Sequence, residues 1–394
     1  MKKKIFLSEP TFDKNDVENV KKSVIEGWVS TAGKSIKLFE NLICKYTKSK
    51  FCVACNSGTS ALHIALKILN VSNNDEVIVP SISFIATINA VKYNNAEPIF
   101  MDVDKNFNLD EEKLIKFLKN NTFQKNKYCF NKKTKKNIKA LIIAHIWGGG
   151  AKIKKIVKEC KKRNIKILED AAESLGTFYT NKYLSKKHTG TIGDVGILSF
   201  NGNKIITTGS GGAILTNNIK YEKKSRYLIN QAKDNDFFKH NELGYNYRLP
   251  SLNAYLGISQ IKKLSTFKRK KKQIHFFYKN IFKSSNVFDV YNFPIISENN
   301  YWMNILILKN KKDKKFISFL INYLKNIIEF RRIWPPNETQ KLYKYSQRFE
   351  IEESKKLYDT SVCVPSSPII TKKNVLFIYK EIEKAYKKYM ENKI

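Results

Sequence analysis

Cysteine is scarce in this chain, and long apolar runs are absent. Six cysteines in 394 residues are too few for a disulfide framework. The apolar run near the start ends at Ser8, Glu9 and Pro10, unlike a secretory signal. No stretch approaches the ~18 apolar residues that a membrane-spanning helix needs. We therefore expect reduced thiols, a cytoplasmic location and no membrane partner.

Acidic residues and arginine are also few. The chain has 35 acidic residues against 72 basic ones, only seven of which are arginine, and its formal net charge is +37. Such a charge could attract nucleic acid, anionic membranes or anionic small molecules. However, lysine lacks the fork with which arginine reads phosphates and bases, and the lysines are spread along the chain, densest at 125–139 and 267–273. We expect mostly solvated lysines and no nucleic-acid partner.

Several cofactor and metal motifs are missing. "GSGG" at 209–212 lacks the last glycine of a dinucleotide fingerprint, and "GWVSTAGKS" at 27–35 has five residues between its glycines where a nucleoside-triphosphate loop has four. The five histidines are too dispersed for a metal site, so no metal is expected. "CVAC" at 52–55 has redox spacing but no second pair, which favours a buried strand.

The first two thirds of the sequence alternate short apolar runs with amphipathic helical stretches, which predicts an α/β fold with a mostly parallel sheet covered on both faces. Two short strands, "VGILSF" and "GGAILTN", follow Asp194, and from Ser251 onward the sequence is rich in lysine and in helical patterns. We predict a large domain over 1–250 and a smaller one over 251–394. Ligands in such folds bind at the carboxyl ends of the strands.

Three stretches carry complementary chemistry. Gly58 and Thr59 stand where a helix follows a strand, a position that offers free N–H groups to a phosphate or is simply capped. Asp170 ends the strand "IKILED", where it is either a site carboxylate or a helix cap, and Lys204 lies in "SFNGNKIITTGSGG" between a strand and a turn. Pyridoxal phosphate needs this combination: donors for its phosphate, a carboxylate for its ring nitrogen and an amine for its aldehyde.

The order of these stretches resembles the DegT/StrS-type sugar aminotransferases, which are pyridoxal-phosphate enzymes of fold type I, similar to aspartate aminotransferase. The matching segments are "SGTSALHIAL", "PSISFIATINAV", "EPIFMDVD", "EDAAESLG", "HTGTIGDVGILSFNGNKIITTGSGG", "LGYNYRLP", "RRIW" and "VPSSP". The resemblance implies a smaller C-terminal α+β domain. Within the family the chain looks most like 4-aminotransferases acting on nucleotide-linked 4-keto-6-deoxy-N-acetylhexosamines of legionaminic-acid and bacillosamine routes, and perosamine-type synthases are also similar.

The resemblance implies roles for residues around the cofactor. Lys204 matches the lysine that binds the cofactor aldehyde, and Asp170 matches the carboxylate at the ring nitrogen. The other matched residues are Glu173 near the ring hydroxyl, Phe84 over the ring face, and Gly58, Thr59 and Ser199 at the phosphate. Asn246 of "GYNYR" matches a residue that reaches the phosphate in the neighbouring subunit, which implies a homodimer with shared sites.

Substrate contacts are expected from Lys34, His145 and Arg331, and the amino donor implied is L-glutamate. From its position after "ALIIA", His145 is equally consistent with a structural histidine. A related dehydratase would carry histidine in place of Lys204. A 3-aminotransferase of the same family and a non-catalytic regulatory relative are further alternatives. The chain departs from many relatives at Ser210, where they have glutamate, and in the loop "HIWGGG". These departures leave the identity of the sugar substrate undecided.

Overall fold

The computed structural model describes residues 4–234 and 239–392. The helices are α1 (Lys14–Ile25), α2 (Lys34–Thr47), α3 (Gly58–Ile68), α4 (Ile85–Tyr93), α5 (Glu111–Asn120), α6 (Lys154–Lys162), α7 (Ile219–Ile229), α8 (Ser251–Ile281), α9 (Lys315–Leu324), α10 (Glu353–Thr360) and α11 (Lys372–Glu391). The strands are β1 (Phe51–Cys55), β2 (Asp75–Pro80), β3 (Glu97–Met101), β4 (Thr122–Lys125), β5 (Tyr128–Asn131), β6 (Asn137–Ala144), β7 (Lys166–Asp170), β8 (Phe178–Tyr179), β9 (Val195–Ser199), β10 (Gly212–Thr216), β11 (Phe288–Val290), β12 (Ser297–Glu298), β13 (Asn304–Leu308), β14 (Arg331–Arg332), β15 (Arg348–Phe349) and β16 (Ser361–Val364).

The large sheet has the strand order β1-β10-β9-β7-β6-β2-β3-β15. Neighbours from β9 to β15 pair in parallel, whereas β10 is antiparallel to both β9 and β1. The mostly parallel α/β fold predicted from the alternating pattern is therefore confirmed.

Helices cover both faces of this sheet, as residues of β1 illustrate. Val53 and Cys55 pack in a core cluster with residues of α3, α4 and α7, whereas Cys52 and Ala54 pack with residues of α2 and α8. This follows from the alternation of side chains along a strand. Cys52 and Cys55 are thus buried free thiols on opposite faces of the sheet, so "CVAC" is a packed strand and not a cysteine pair.

The parallel strands bring four sequence positions to one edge of the sheet. Because β2, β6, β7 and β9 run in the same direction, their carboxyl ends meet there. Phe84, His145, Asp170 and Lys204 lie at or just after these ends. Strand β1 ends at the same edge, since Cys55 pairs with Gly212 of β10 and Gly212 pairs with Ser199 of β9.

The C-terminal part forms a second, antiparallel sheet with the order β11-β13-β16-β14. Its core includes residues of α8, α9 and α11. The packing does not change at the predicted division after residue 250, because α8 is one continuous helix whose apolar residues serve both units: Phe267 packs on the large sheet, and Ile274 on the small one. The N-terminal segment also contacts the C-terminal part, since Ile5 pairs with Ile328.

Most lysines of the basic runs are exposed, and one is buried. Lys132 and Lys133 of the first run are exposed, as are Arg269 and Lys270 of the second, but Lys271 faces inward from α8 and is buried. No helix in residues 4–234 and 239–392 is both long and apolar enough to cross a membrane.

Candidate active site

A cavity of about 420 Å³ opens at the edge where these strands end. Its wall includes all the residues that the sequence placed in a site except Lys34 and Asn246, namely Gly58, Thr59, Phe84, His145, Asp170, Glu173, Ser199, Lys204 and Arg331. The fold therefore brings residues from across the sequence into one pocket.

Asp170 is held rigidly at the end of β7. Its carboxylate accepts hydrogen bonds from the Thr87 hydroxyl (2.7 Å) and from the Ala172 backbone N–H (3.1 Å), and only 7% of the residue is exposed. The preceding residue, Glu169, faces away from the cavity's centre and accepts bonds from the N–H groups of Gly190, Ile192 and Gly193. Of the two neighbouring acids, Asp170 is thus the one available to a ligand.

Lys204 lies in a turn after β9, where its N–H donates to the Asn201 carbonyl (3.0 Å). Its Nζ is 3.9 Å from a carboxylate oxygen of Glu173. Burial lowers the pKa of Lys204, and Arg331 acts in the same direction, while Glu173 and Asp170 oppose them. A buried amine with a lowered pKa is suited to nucleophilic attack on a carbonyl.

Glu173 is the second acid of the cavity. It accepts hydrogen bonds from the Trp147 backbone N–H (2.8 Å) and the Trp334 indole N–H (3.3 Å). Burial raises the pKa of Glu173 even though the nearby Lys204 acts to lower it.

The start of α3 forms the opposite wall. Ser57 caps the helix by accepting the Ser60 N–H (3.0 Å), and the first N–H groups of a helix have no acceptor within it. A Cβ atom on Gly58 would lie only 3.0 Å from the Ser199 Cβ, and one on Gly212 would lie 2.4 Å from the Ser57 carbonyl oxygen. The close packing of small residues leaves a cradle of backbone and hydroxyl donors of the kind that binds phosphate.

Arg331 contributes a half-buried cation with two buried nitrogens. Its Nε and Nη2 atoms have no hydrogen-bond partner within the described residues, and its guanidinium stacks 4.2 Å from the Trp334 ring centroid. Buried polar groups are rarely left unpaired in native proteins. The two free nitrogens are therefore suited to a planar anion such as a carboxylate.

His145 lines the cavity, but both of its ring nitrogens are already bonded within the protein. Nε2 lies 2.9 Å from Glu169, and Nδ1 accepts the Ala151 N–H (3.2 Å). His145 therefore has no free ring nitrogen for a hydrogen bond to a substrate, and the substrate contact expected of it stays a prediction.

Lys34 and Asn246 lie outside the cavity. Lys34 begins α2 and borders a separate depression with Glu26, Trp28 and Tyr255. The backbone carbonyl of Asn246 accepts the Asn56 side-chain amide (3.3 Å). The roles predicted for Lys34 toward substrate and for Asn246 toward a neighbouring subunit stay predictions.

Sequence reasoning missed several groups in this wall or directly behind it. Thr87, which holds Asp170, follows Phe84 by one helical turn, a spacing that could have drawn attention to it. Trp147, Trp302 and Trp334 stack in a row, with Trp147 in the middle at 6.1 Å and 5.6 Å from the other two ring centroids. Trp334 stands beside Arg331 in "RRIW", but no motif marked Trp302.

The cavity fits a phosphorylated pyridine aldehyde. The start of α3 and Ser199 offer donors for a phosphate, Asp170 offers a fixed carboxylate for a ring nitrogen, and Lys204 offers an amine. These groups, which would hold pyridoxal phosphate, lie in one pocket.

Comparison with known proteins agrees with this geometry. The profile of the DegT/DnrJ/EryC1/StrS aminotransferase family matches residues 10–383. The chain is 30% identical to the GDP-perosamine synthase of Escherichia coli O157:H7, over 98% of this chain and 99% of that protein. It is 32% identical to the UDP-4-amino-4,6-dideoxy-N-acetyl-beta-L-altrosamine transaminase of Campylobacter jejuni, over 72% of this chain and 71% of that protein.

Among solved structures, Helicobacter pylori PseC, an aminotransferase involved in the biosynthesis of pseudoaminic acid, superimposes with a TM-score of 0.86 at 25% identity. The match covers 98% of this chain and all of that one. From the profile match and the full-length relatives, we conclude that this chain belongs to the DegT/DnrJ/EryC1/StrS aminotransferase family.

Proposed function

We propose that the chain is a pyridoxal-phosphate-dependent aminotransferase that moves the amine of L-glutamate to C4 of a nucleotide-linked 4-keto-6-deoxy sugar, with or without an N-acetyl group. The observation that carries this proposal is the meeting of Lys204, Asp170 and the start of α3 in one cavity. The family supplies the reaction class. Relatives named for GDP-linked and UDP-linked amino sugars support the substrate class.

When bound, pyridoxal phosphate supplies an aldehyde that takes up the amine and a pyridinium ring that accepts electrons from the substrate carbon. In this account Gly58, Thr59 and Ser199 bind its phosphate. Asp170, fixed by Thr87, keeps a proton on the ring nitrogen, which a neutral side chain would not favour.

Lys204 has two tasks in this proposal. Its Nζ first binds the aldehyde. Once released, the same amine accepts the proton that leaves the amine-bearing carbon and then donates that proton to a different atom. Positioned proton transfer of this kind contributes roughly 100- to 10,000-fold to rate. The lowered pKa of Lys204 favours the neutral amine that both tasks require.

Arg331 supports glutamate as the donor. An amino acid must present a carboxylate next to its amine, and the Nε and Nη2 atoms of Arg331 would donate hydrogen bonds to its two oxygens. Trp334 fixes the guanidinium plane by stacking on it. We assign the bidentate site to the donor's carboxylate.

We also propose a homodimer whose two sites are shared, with Asn246 reaching the phosphate in the neighbouring subunit. Asn246 lies outside the cavity of its own chain, which is compatible with such a role. Sedimentation analysis should give twice the 45.8 kDa chain mass. A monomer that is fully active would contradict this part.

Release of 2-oxoglutarate tests the reaction. Purified protein with pyridoxal phosphate and glutamate should release 2-oxoglutarate continuously only when a 4-keto nucleotide sugar is present. UDP-linked 4-keto-6-deoxy-N-acetylhexosamine and GDP-linked 4-keto-6-deoxyhexose should be compared, because relatives of both kinds match this chain. Lys204→Ala should show no turnover, and turnover by that variant at the wild-type rate would refute the assignment.

A further inference from the structure

Trp302 covers the amine of Lys204. The Nζ atom lies 4.3 Å from the centroid of the Trp302 ring, within the range of a cation–π contact, and the indole is fully buried. The electron-rich face of an indole stabilises an ammonium group but cannot take its proton, since the ring has no basic atom. The contact therefore favours the protonated form of Lys204.

Three hydrogen bonds hold Trp302 in place. The indole Nε1 donates to the backbone carbonyl of Asn203 (2.8 Å), the residue directly before Lys204. The backbone N–H of Trp302 donates to Asn300 Oδ1 (2.8 Å), and its carbonyl accepts from Lys271 Nζ (3.0 Å). The ring is thus tied both to the turn that carries Lys204 and to the long helix α8.

Asn300 links Trp302 to Glu173, the other side chain that lies beside Lys204. Its side-chain amide donates to the backbone carbonyls of Glu173 and Leu175, each at 2.9 Å. One buried side chain therefore fixes the indole on one flank of Lys204 and the carboxylate-bearing segment on the other.

Lys271 is a second buried lysine close to this arrangement. It also donates to the Ser366 carbonyl (2.7 Å), and burial lowers its pKa to about 7. Because its bonds go to backbone carbonyls, it acts as a strut between α8 and the Trp302 segment, and it has no atom in the cavity wall.

We propose that Trp302 is a positioning residue that holds the Lys204 side chain against the cavity wall and stabilises its ammonium form while it carries a proton. The carrier role rests on the proposed function, whereas the contact between the two side chains does not. The charged groups that face Lys204 are Glu173 and Asp170, which favour the ammonium form, and Arg331, which opposes it.

The test measures the pKa of Lys204 in the full-length protein freed of cofactor. Acetic anhydride modifies neutral amines only, so the pH dependence of acetylation at Lys204, followed by peptide mass spectrometry, reports that pKa. Trp302→Leu removes the aromatic face and should lower the pKa by about one unit, a roughly tenfold shift toward the neutral amine. Trp28→Leu is the matched control, because Trp28 is 52% exposed and lies outside the cavity, and it should leave the pKa unchanged.

An unchanged or raised pKa of Lys204 in Trp302→Leu would overturn the proposal. If that variant does not fold, Trp302→Phe is the deciding variant, because it keeps a weaker aromatic face and loses only the hydrogen bond to Asn203. A smaller decrease in the pKa of Lys204 would support the proposal, and an unchanged pKa would contradict it. The proposed function has a separate test, because acetylation is measured without the cofactor. It fails if added pyridoxal phosphate and borohydride do not label Lys204 of the wild-type protein.

Discussion

Arg331→Met offers a sharp test of how the amino donor is recognised. The variant keeps an apolar side chain of similar length but removes the two buried nitrogens that have no partner in the described structure. A hydrogen bond between charged groups is worth about 1.5–3 kcal/mol, so losing two costs about 3 kcal/mol even at the low end. That corresponds to a decrease of about 150-fold in kcat/KM for glutamate.

The two half-reactions should be assayed separately, by following the cofactor's absorbance in single turnovers with glutamate and with the keto sugar. We expect the large loss in the glutamate half-reaction alone, and a smaller loss in Arg331→Lys, which keeps the charge without the fork. Arg332→Met is the control: that guanidinium already donates to the Ser318 hydroxyl (2.8 Å) and the Tyr358 carbonyl (3.2 Å). A glutamate kcat/KM in Arg331→Met within a few fold of wild type would show that Arg331 does not bind the donor's carboxylate.

Three further changes test other parts of the account. Asp170→Asn should retain cofactor but lose most of its turnover, because the amide cannot hold a proton on the ring nitrogen; an unchanged rate in the 2-oxoglutarate assay would show that another carboxylate has this role. Gly58→Ala should weaken cofactor binding and cost about 1–3 kcal/mol in urea unfolding, since its Cβ would lie 3.0 Å from Ser199 Cβ; wild-type affinity and stability would contradict the cradle. Asp102→Asn should lose about 2 kcal/mol of stability at neutral pH, because folding lowers the pKa of Asp102 from 3.8 to about 2. Burial alone would raise this pKa, but hydrogen bonds from Lys113, Ser354 and the start of α10 outweigh the burial. Because that pKa is lowered on folding, the stabilisation is present above pH ~4 and disappears as the pH falls through ~2, so urea titrations from pH 7 downward should converge for the two proteins; parallel curves would contradict it.

The sheet and its ligand-binding edge could be predicted from the sequence because both depend on local patterns. Alternating apolar runs and helical stretches specify parallel crossovers, and parallel strands must end at a common edge, which is why Asp170 and Lys204 could be placed together. The Ser57 cap and the small residues around Gly58 are also local signals.

The rest depends on contacts between distant segments. Nothing in "NNYWMN" indicates that Trp302 lies on Lys204, because that contact requires the C-terminal unit to dock on the large sheet. Composition likewise suggested that Lys271 is solvated with its neighbours, yet its position on α8 turns it inward. The His145 ring nitrogens are bonded within the protein for the same reason: Glu169, from the neighbouring strand, reaches one of them.

Attachment of the cofactor to Lys204 can be measured by mixing the purified chain with pyridoxal phosphate, reducing with borohydride and identifying the labelled peptide by mass spectrometry. We expect one label, on Lys204, although the chain contains many other lysines. Loss of that label in Lys204→Ala, with the fold intact, would agree with this assignment. A label on another residue, or no label on the wild-type protein, would contradict it.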